Sequence, residues 1–183
     1  LVGSEMCIRD RYKGRLIQML KKLLSREECA KCRICCCFDS SDIWEAPVID
    51  SEKSQQITKD FRSDQEFVEK DGHYLLKMKK EPNRDLYYCS LLDHEKGCIM
   101  GNEKPFDCRI WPFRIMSLNG RRVITLSPVC PVVKTRPLND ILNVCGEISE
   151  EIFNEARKHP EYVKPYISGY PIVAVEEEPI KSE

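Results

Sequence analysis

Residues 29–37 read Cys-Ala-Lys-Cys-Arg-Ile-Cys-Cys-Cys, five thiols in nine positions. Cysteine packs in cores as a small apolar side chain, but one short polar stretch cannot bury five of them. Cys29, Cys32, Cys35 and Cys36 form a C-x2-C-x2-C-C run. Two residues between cysteines let a tight turn aim both sulfurs at one metal while backbone amides point toward the sulfurs. Thiolate is a soft ligand suited to zinc and to iron–sulfur clusters. Cys35 and Cys36, adjacent in the chain, project in different directions. That predicts either two neighbouring sites or one ligand beside a supporting thiol.

Partners for this run stand further on, at Cys89, Cys98, Cys108 and Cys130. The intervening stretch YYCSLLDHEKGCIMGNEKPFDCRIWPF has no second C-x2-C knuckle, which argues against a pair of zinc ribbons. Cys130 precedes Pro131, as the last ligand of a bacterial ferredoxin run does, but not at the ferredoxin distance. The C-x3-C-x2-C of radical SAM enzymes is absent, position 39 being Asp. Bunched cysteines in a chain with helical and strand patterns favour a reduced, metal-binding set over a disulfide framework. A cytoplasmic location follows as the expectation.

At 183 residues with 42% apolar and 32% charged side chains, the chain suits one domain with a modest core. The net charge of -1 offers no excess of positive charge to a polyphosphate. Nucleic acid is therefore not an expected partner, and no apolar run reaches the ~20 residues of a membrane span. Leu1 to Arg11 match a reading frame through a common transposase sequencing adapter and are read as a cloning or assembly scar. The expected organisation is one domain over 12–175, its motif region at 29–131, and a disordered acidic tail at 176–183.

The stretch RLIQMLKKLL puts Leu16, Ile17, Leu20, Leu23 and Leu24 on one helical face. Trp44 and Pro47 mark a packed loop, and Ser51 is the expected N-cap of a following helix. Alternation around Asp71-Gly72 and around Asn119-Gly120 predicts two hairpins. Ile141, Leu142, Cys145, Ile148, Ile152, Phe153 and Ala156 fall at helical spacing before Pro160, placing Cys145 in a core. YPIVAV reads as a strand. The fold class expected is α+β, a small metal-stabilised domain with flanking helices and short β-hairpins around the cysteines.

Other candidates carry less. His94, between Cys89 and Cys98, reads as a solvated loop residue before a ligand, and His73 and His159 are weaker still. Cys37 is either a reactive thiol near the metal or a packing thiol. Arg109 has the chemistry to bond a carboxylate or a cluster sulfur, while Trp111 and Phe113 are expected in core beside the metal. No phosphate loop, catalytic-triad signature or H-E-x-x-H is present. No catalytic residue and no small-molecule substrate are identifiable.

The cysteine blocks CAKCRICC, CSLLDHEKGCIM, KPFDCRIWPF and the later CP, in that order, resemble the YkgJ-like cysteine-cluster family of zinc- or iron-chelating domains. The resemblance runs from about Cys29 to Pro131. It implies a metal-ligand set of Cys29, Cys32, Cys35, Cys36, Cys89, Cys98, Cys108 and Cys130. Two positions depart from the family pattern. Arg33 stands where Gly is usual, so its turn must tolerate a side chain, and Lys104 replaces Arg before Pro105, keeping the charge but losing bidentate geometry. The function expected is a metal-binding protein holding an iron–sulfur cluster, [4Fe-4S], possibly joined by zinc, with a redox or electron-transfer role and an unknown protein partner. The alternative is a structural zinc module that binds partners without catalysis.

Overall fold

The computed structural model describes residues 14–40 and 44–179. They are mixed α and β, with four small sheets and few helices. The chain divides into two compact units, one of Arg26–Cys108 and one that joins the residues up to Ser25 to those from Arg109 onward. The adapter-like segment lies outside the described residues.

In the second of these units, strands Phe113–Leu118 and Arg121–Leu126 form the hairpin expected around Asn119-Gly120. Asn119 at φ 50° and Gly120 at φ 72° supply the two left-handed residues that a tight primed turn requires. Lys164–Pro165 adds to Phe113–Leu118 in parallel, and Ile172–Pro179 adds to Arg121–Leu126 antiparallel. Helix Leu138–Lys158 buries Ile141, Val144, Cys145, Ile148, Ile152, Phe153 and Ala156. Leu142, expected on that face, is 40% exposed, and Val144 takes its place. Arg157 and Lys158 in the last turn suit the negative end of the helix dipole, and Pro160 ends the run. Phe113, Ile115, Met116, Ile124, Ile148 and Ile152 are among its fully buried side chains.

Residues 14–20 are helical, and a turn follows in which Leu23 and Leu24 both hydrogen-bond back to Leu20. The turn keeps Leu16, Leu20, Leu23 and Leu24 buried although the helix is shorter than the pattern predicts. Arg136 Nε donates to the Leu23 carbonyl at 2.9 Å, joining the two chain segments of the unit. The terminal strand also departs from expectation, running on to Pro179 through acidic residues read as tail. Glu176 is 4% exposed and accepts from Arg122 Nη1 at 2.9 Å and from Arg157 Nη1. Two guanidiniums offset the cost of burying that carboxylate, which is why an acidic stretch enters the sheet.

The unit of Arg26–Cys108 is made of shorter pieces. Val48–Ile49, His73–Leu76 and Phe67–Lys70 form one sheet, its hairpin turning at Asp71-Gly72 with φ of 50° and 78°. Cys37–Phe38, Tyr87–Tyr88 and Lys79–Lys80 form another, and Leu92–Asp93 with Gly97–Cys98 a two-stranded ribbon. Helix Ser51–Gln56 is capped by Asp50, whose side chain accepts from the Lys53 amide at 2.7 Å. The cap is thus one residue earlier than expected, because an Asp carboxylate reaches the third amide as well as a serine does. Pro47 is buried, whereas Trp44 is 40% exposed. Ile49, Ile57, Leu76, Leu91 and Met100 form a core against which Cys89 and Cys98 pack.

Candidate metal centre

Helix Arg26–Cys32 carries Cys29 and Cys32, three residues apart and so on neighbouring positions of one face. The next residue, Arg33, has φ 57°, the left-handed conformation that favours glycine. Here it closes the helix, its amide bonding the Cys29 carbonyl at 3.0 Å, and opens the 3-10 turn Ile34–Cys36. Arg33 Nη1 donates to the His94 carbonyl at 2.8 Å and to His94 Nδ1 at 3.3 Å. The guanidinium bonds that glycine cannot make help to hold the strained turn.

From that turn the chain enters Cys37–Phe38, paired with Tyr87–Tyr88, and the Cys89 amide donates to the Cys36 carbonyl at 2.9 Å. The ribbon carrying Cys98 turns on Asp93, whose carboxylate accepts the amides of Glu95 and Lys96. Gly97 has φ 84°, and a Cβ there would stand 3.3 Å from the Ala30 Cβ. Bare backbone at this point lets the ribbon lie against the helix of Cys29 and Cys32. Cys108 sits in the short helix Phe106–Arg109, and the neighbouring Asp107 carboxylate accepts the Val48 amide at 3.1 Å.

Four chain stretches thereby bring thiols into one neighbourhood. The sulfurs of Cys35 and Cys36 are 3.9 Å apart. The hydrogen bond to Cys36 and then burial hold the Cys35 thiol well above its ordinary value. For Cys36 the bond to Cys35 draws the thiol down, but the bond to Cys89, burial and the nearby Cys108 together raise it strongly. Burial pushes Cys98 up, with Lys104 and Arg26 opposing it. Burial also pushes Cys108 up strongly, followed by the charges of Cys98, Cys35 and Asp107. No disulfide links any of these cysteines. Among the described residues, no three His, Cys, Asp or Glu side chains stand as a ready ligand group for one ion.

Of the eight sulfurs that the resemblance implies, Cys35, Cys36, Cys89, Cys98 and Cys108 share this neighbourhood. Cys29 and Cys32 belong to the same unit on the adjoining helix. Cys130 belongs to the other unit, where it is buried ahead of the 3-10 turn Val133–Thr135. No family model, curated protein or solved structure matches the chain. The likeness to the YkgJ-like pattern thus rests on the four cysteine blocks themselves.

The remaining candidates find other partners. His94 is exposed, its Nδ1 faces the Arg33 cation, and its ring meets Tyr88 edge-on at 5.1 Å. His73 lies at a hairpin turn opposite Lys70, and His159 pairs with Glu161 and stacks on Tyr162. Cys37 stands across the strand pair from Tyr88, whose phenol is held above its usual range first by its bond to Glu81. Arg109 has a carboxylate partner, Glu155, at 4.0 Å. Trp111 lies under the Arg114 guanidinium at 5.3 Å, while Phe113 is wholly buried. Cys145 is buried on its helix, and burial raises its thiol to about 11.

Sequence reasoning noted the charge kept at Lys104 but not that Lys104 and Arg26 both oppose the upward push on the Cys98 thiol. The available signal was a cation inside or beside each cysteine block. The donor set itself is sulfur, with no oxygen-rich group of the kind that calcium or magnesium takes. By donor chemistry it fits an iron–sulfur cluster or zinc.

Proposed function

We propose that the Arg26–Cys108 unit is a metal-binding cysteine-cluster domain of the YkgJ-like kind, holding an iron–sulfur cluster with a redox or electron-transfer role. The observation that supports this is the gathering of Cys35, Cys36, Cys89, Cys98 and Cys108, half-buried and drawn from four separate stretches, in one neighbourhood of the unit. Thiols placed together there repel one another once ionised, so only a cationic group makes the ionised set favourable. When bound, the cluster supplies one-electron chemistry. The chain's own sulfurs hold it, Arg33 and Asp93 fix the turns that present them, and the core of Ile49, Leu76, Leu91 and Met100 packs behind Cys89 and Cys98. The partner would be an electron donor or acceptor protein in a reducing, cytoplasmic setting.

One distance favours a second reading. Zinc–sulfur bonds of about 2.3 Å in a tetrahedron set sulfurs about 3.8 Å apart, and Cys35 and Cys36 stand at 3.9 Å. A structural zinc module would use that edge and carry no redox chemistry. Metal analysis, acid-labile sulfide and a visible spectrum on anaerobically purified protein separate the two. Brown protein with about four irons and four sulfides is the expected result for a [4Fe-4S] cluster. Colourless protein with stoichiometric zinc would overturn the iron–sulfur reading in favour of the second.

A further inference from the structure

We propose that the strand Ile172–Pro179 and the cavity beside it take an extended basic segment of a partner protein, which joins the sheet as a further strand. This inference is independent of the metal reading. Among the described residues the strand stands last in its sheet, paired with Arg121–Leu126 on one side. The opposite edge, Lys164–Pro165, is only two residues long. An edge strand presents a row of backbone donors and acceptors that an incoming chain can pair. Natural edges are usually kept short or interrupted by Pro or Lys. Here Pro171 and Pro179 stand at the two ends, and the stretch between them, Ile-Val-Ala-Val-Glu-Glu-Glu, contains neither residue type. Ile172 and Val175 are 41% and 50% exposed, so apolar side chains remain there for a neighbour to cover.

A cavity of about 540 Å³ lies between this strand and helix Leu138–Lys158. Glu150, Phe153 and Arg157 line it from the helix, and Val175, Glu176 and Glu177 from the strand. No residue of Arg121–Leu126 is in that lining, which places the cavity toward the outer edge, where an added strand would lie. Its charges do not balance. Arg157 is bonded to Glu150 and Glu176, and Glu176 also takes Arg122. Among the described residues the Glu177 carboxylate has no ion pair, because Arg121 Nη1 donates to the Glu177 carbonyl instead, at 3.4 Å. One carboxylate is thus left over near the Phe153 ring, a setting that suits a lysine or arginine with its stem on apolar surface and its charge outward. A second copy of this chain is a poorer occupant, since its strand brings the same acidic run and no cation. Charge complementarity therefore selects a basic segment.

The test mixes the full chain with a labelled peptide of about ten residues, alternating Val and Thr with lysines at its amino end, which antiparallel pairing sets opposite Glu177. Fluorescence anisotropy should report binding, and amide hydrogen exchange should slow in Ile172–Pro179 but not at Lys164. The same peptide with a central proline, which cannot complete the ladder, should not bind. Glu177→Lys should weaken binding about tenfold with an unchanged thermal melt, and Glu177→Gln about threefold. No binding up to about 1 mM, equal binding of the proline peptide, or wild-type affinity in Glu177→Lys overturns the proposal. A chain that sediments as a dimer and protects Ile172–Pro179 in a concentration-dependent way assigns the edge to a second copy and overturns it too.

Discussion

The two units hold themselves together by different means. In the one that contains the Leu138–Lys158 helix, a hairpin of two six-residue strands and a 21-residue amphipathic helix bury aliphatic and aromatic side chains in regular register. In the Arg26–Cys108 unit most strands are two residues long, and half-buried thiols line part of the core. Regular elements satisfy their own backbone groups and present a continuous apolar face, so hydrophobic burial alone stabilises them. Short strands offer neither advantage, and a unit built from them depends on a few fixed points. The contrast suggests that sulfur ligation would matter to one unit and not to the other.

The sharpest break of that contrast is metal removal. Stripping the purified protein with a chelator under reducing conditions is expected to abolish hydrogen-exchange protection in Cys37–Phe38, Leu92–Asp93 and Gly97–Cys98, since structural metal sites contribute on the order of 10 kcal/mol. Protection in Phe113–Leu118 and Arg121–Leu126 should persist. Equal loss in both hairpins would mean that the units do not differ in this way. Next in size is Phe113→Ala, which removes a fully buried ring and is expected to cost about 3–5 kcal/mol in denaturant titration. Metal content per folded chain should not change.

The third prediction concerns Cys145, whose thiol rises from 9.0 to about 11 in the fold. A raised value means that the folded state keeps the proton longer than the unfolded chain does. The corresponding stability is fully present below pH 9 and is lost as pH rises toward about 11. Wild type should therefore lose stability relative to Cys145→Ala over that window in paired thermal melts, while their difference stays flat below it. The smallest effect is at Arg33. Arg33→Ala should be less stable than Arg33→Gly by about 1 kcal/mol, because only glycine adopts the left-handed turn without strain. Equal stabilities would show that the left-handed backbone at this position carries no strain that glycine relieves.

Local chemistry made the regular elements legible. Asn119-Gly120 and Asp71-Gly72 each turned the chain where their conformational freedom allows, and the helix over Leu138–Lys158 follows its apolar spacing. Leu142 and Val144 lie at opposite edges of the apolar stripe, where helical spacing alone does not decide which is covered. The depth of Glu176 was illegible, since its two arginines lie 54 and 19 residues away. The division into two units was hidden for a similar reason, one of them being assembled from distant segments. At the site, the cysteine run was plain in the sequence. That Cys36 would meet Cys89, and that Cys130 would fall in the other unit, depended on pairings no local pattern encodes.

The joining of residues 14–25 to those beyond Arg109 has a consequence during synthesis. The leucine face around Leu16 and Leu20 is made well before Glu147 and Arg136, which bond its neighbours Arg15, Lys22 and Leu23. At ordinary translation rates the intervening stretch takes on the order of ten seconds. For that interval the nascent chain carries an uncovered apolar helix, and a chaperone that shields it would favour correct assembly over aggregation.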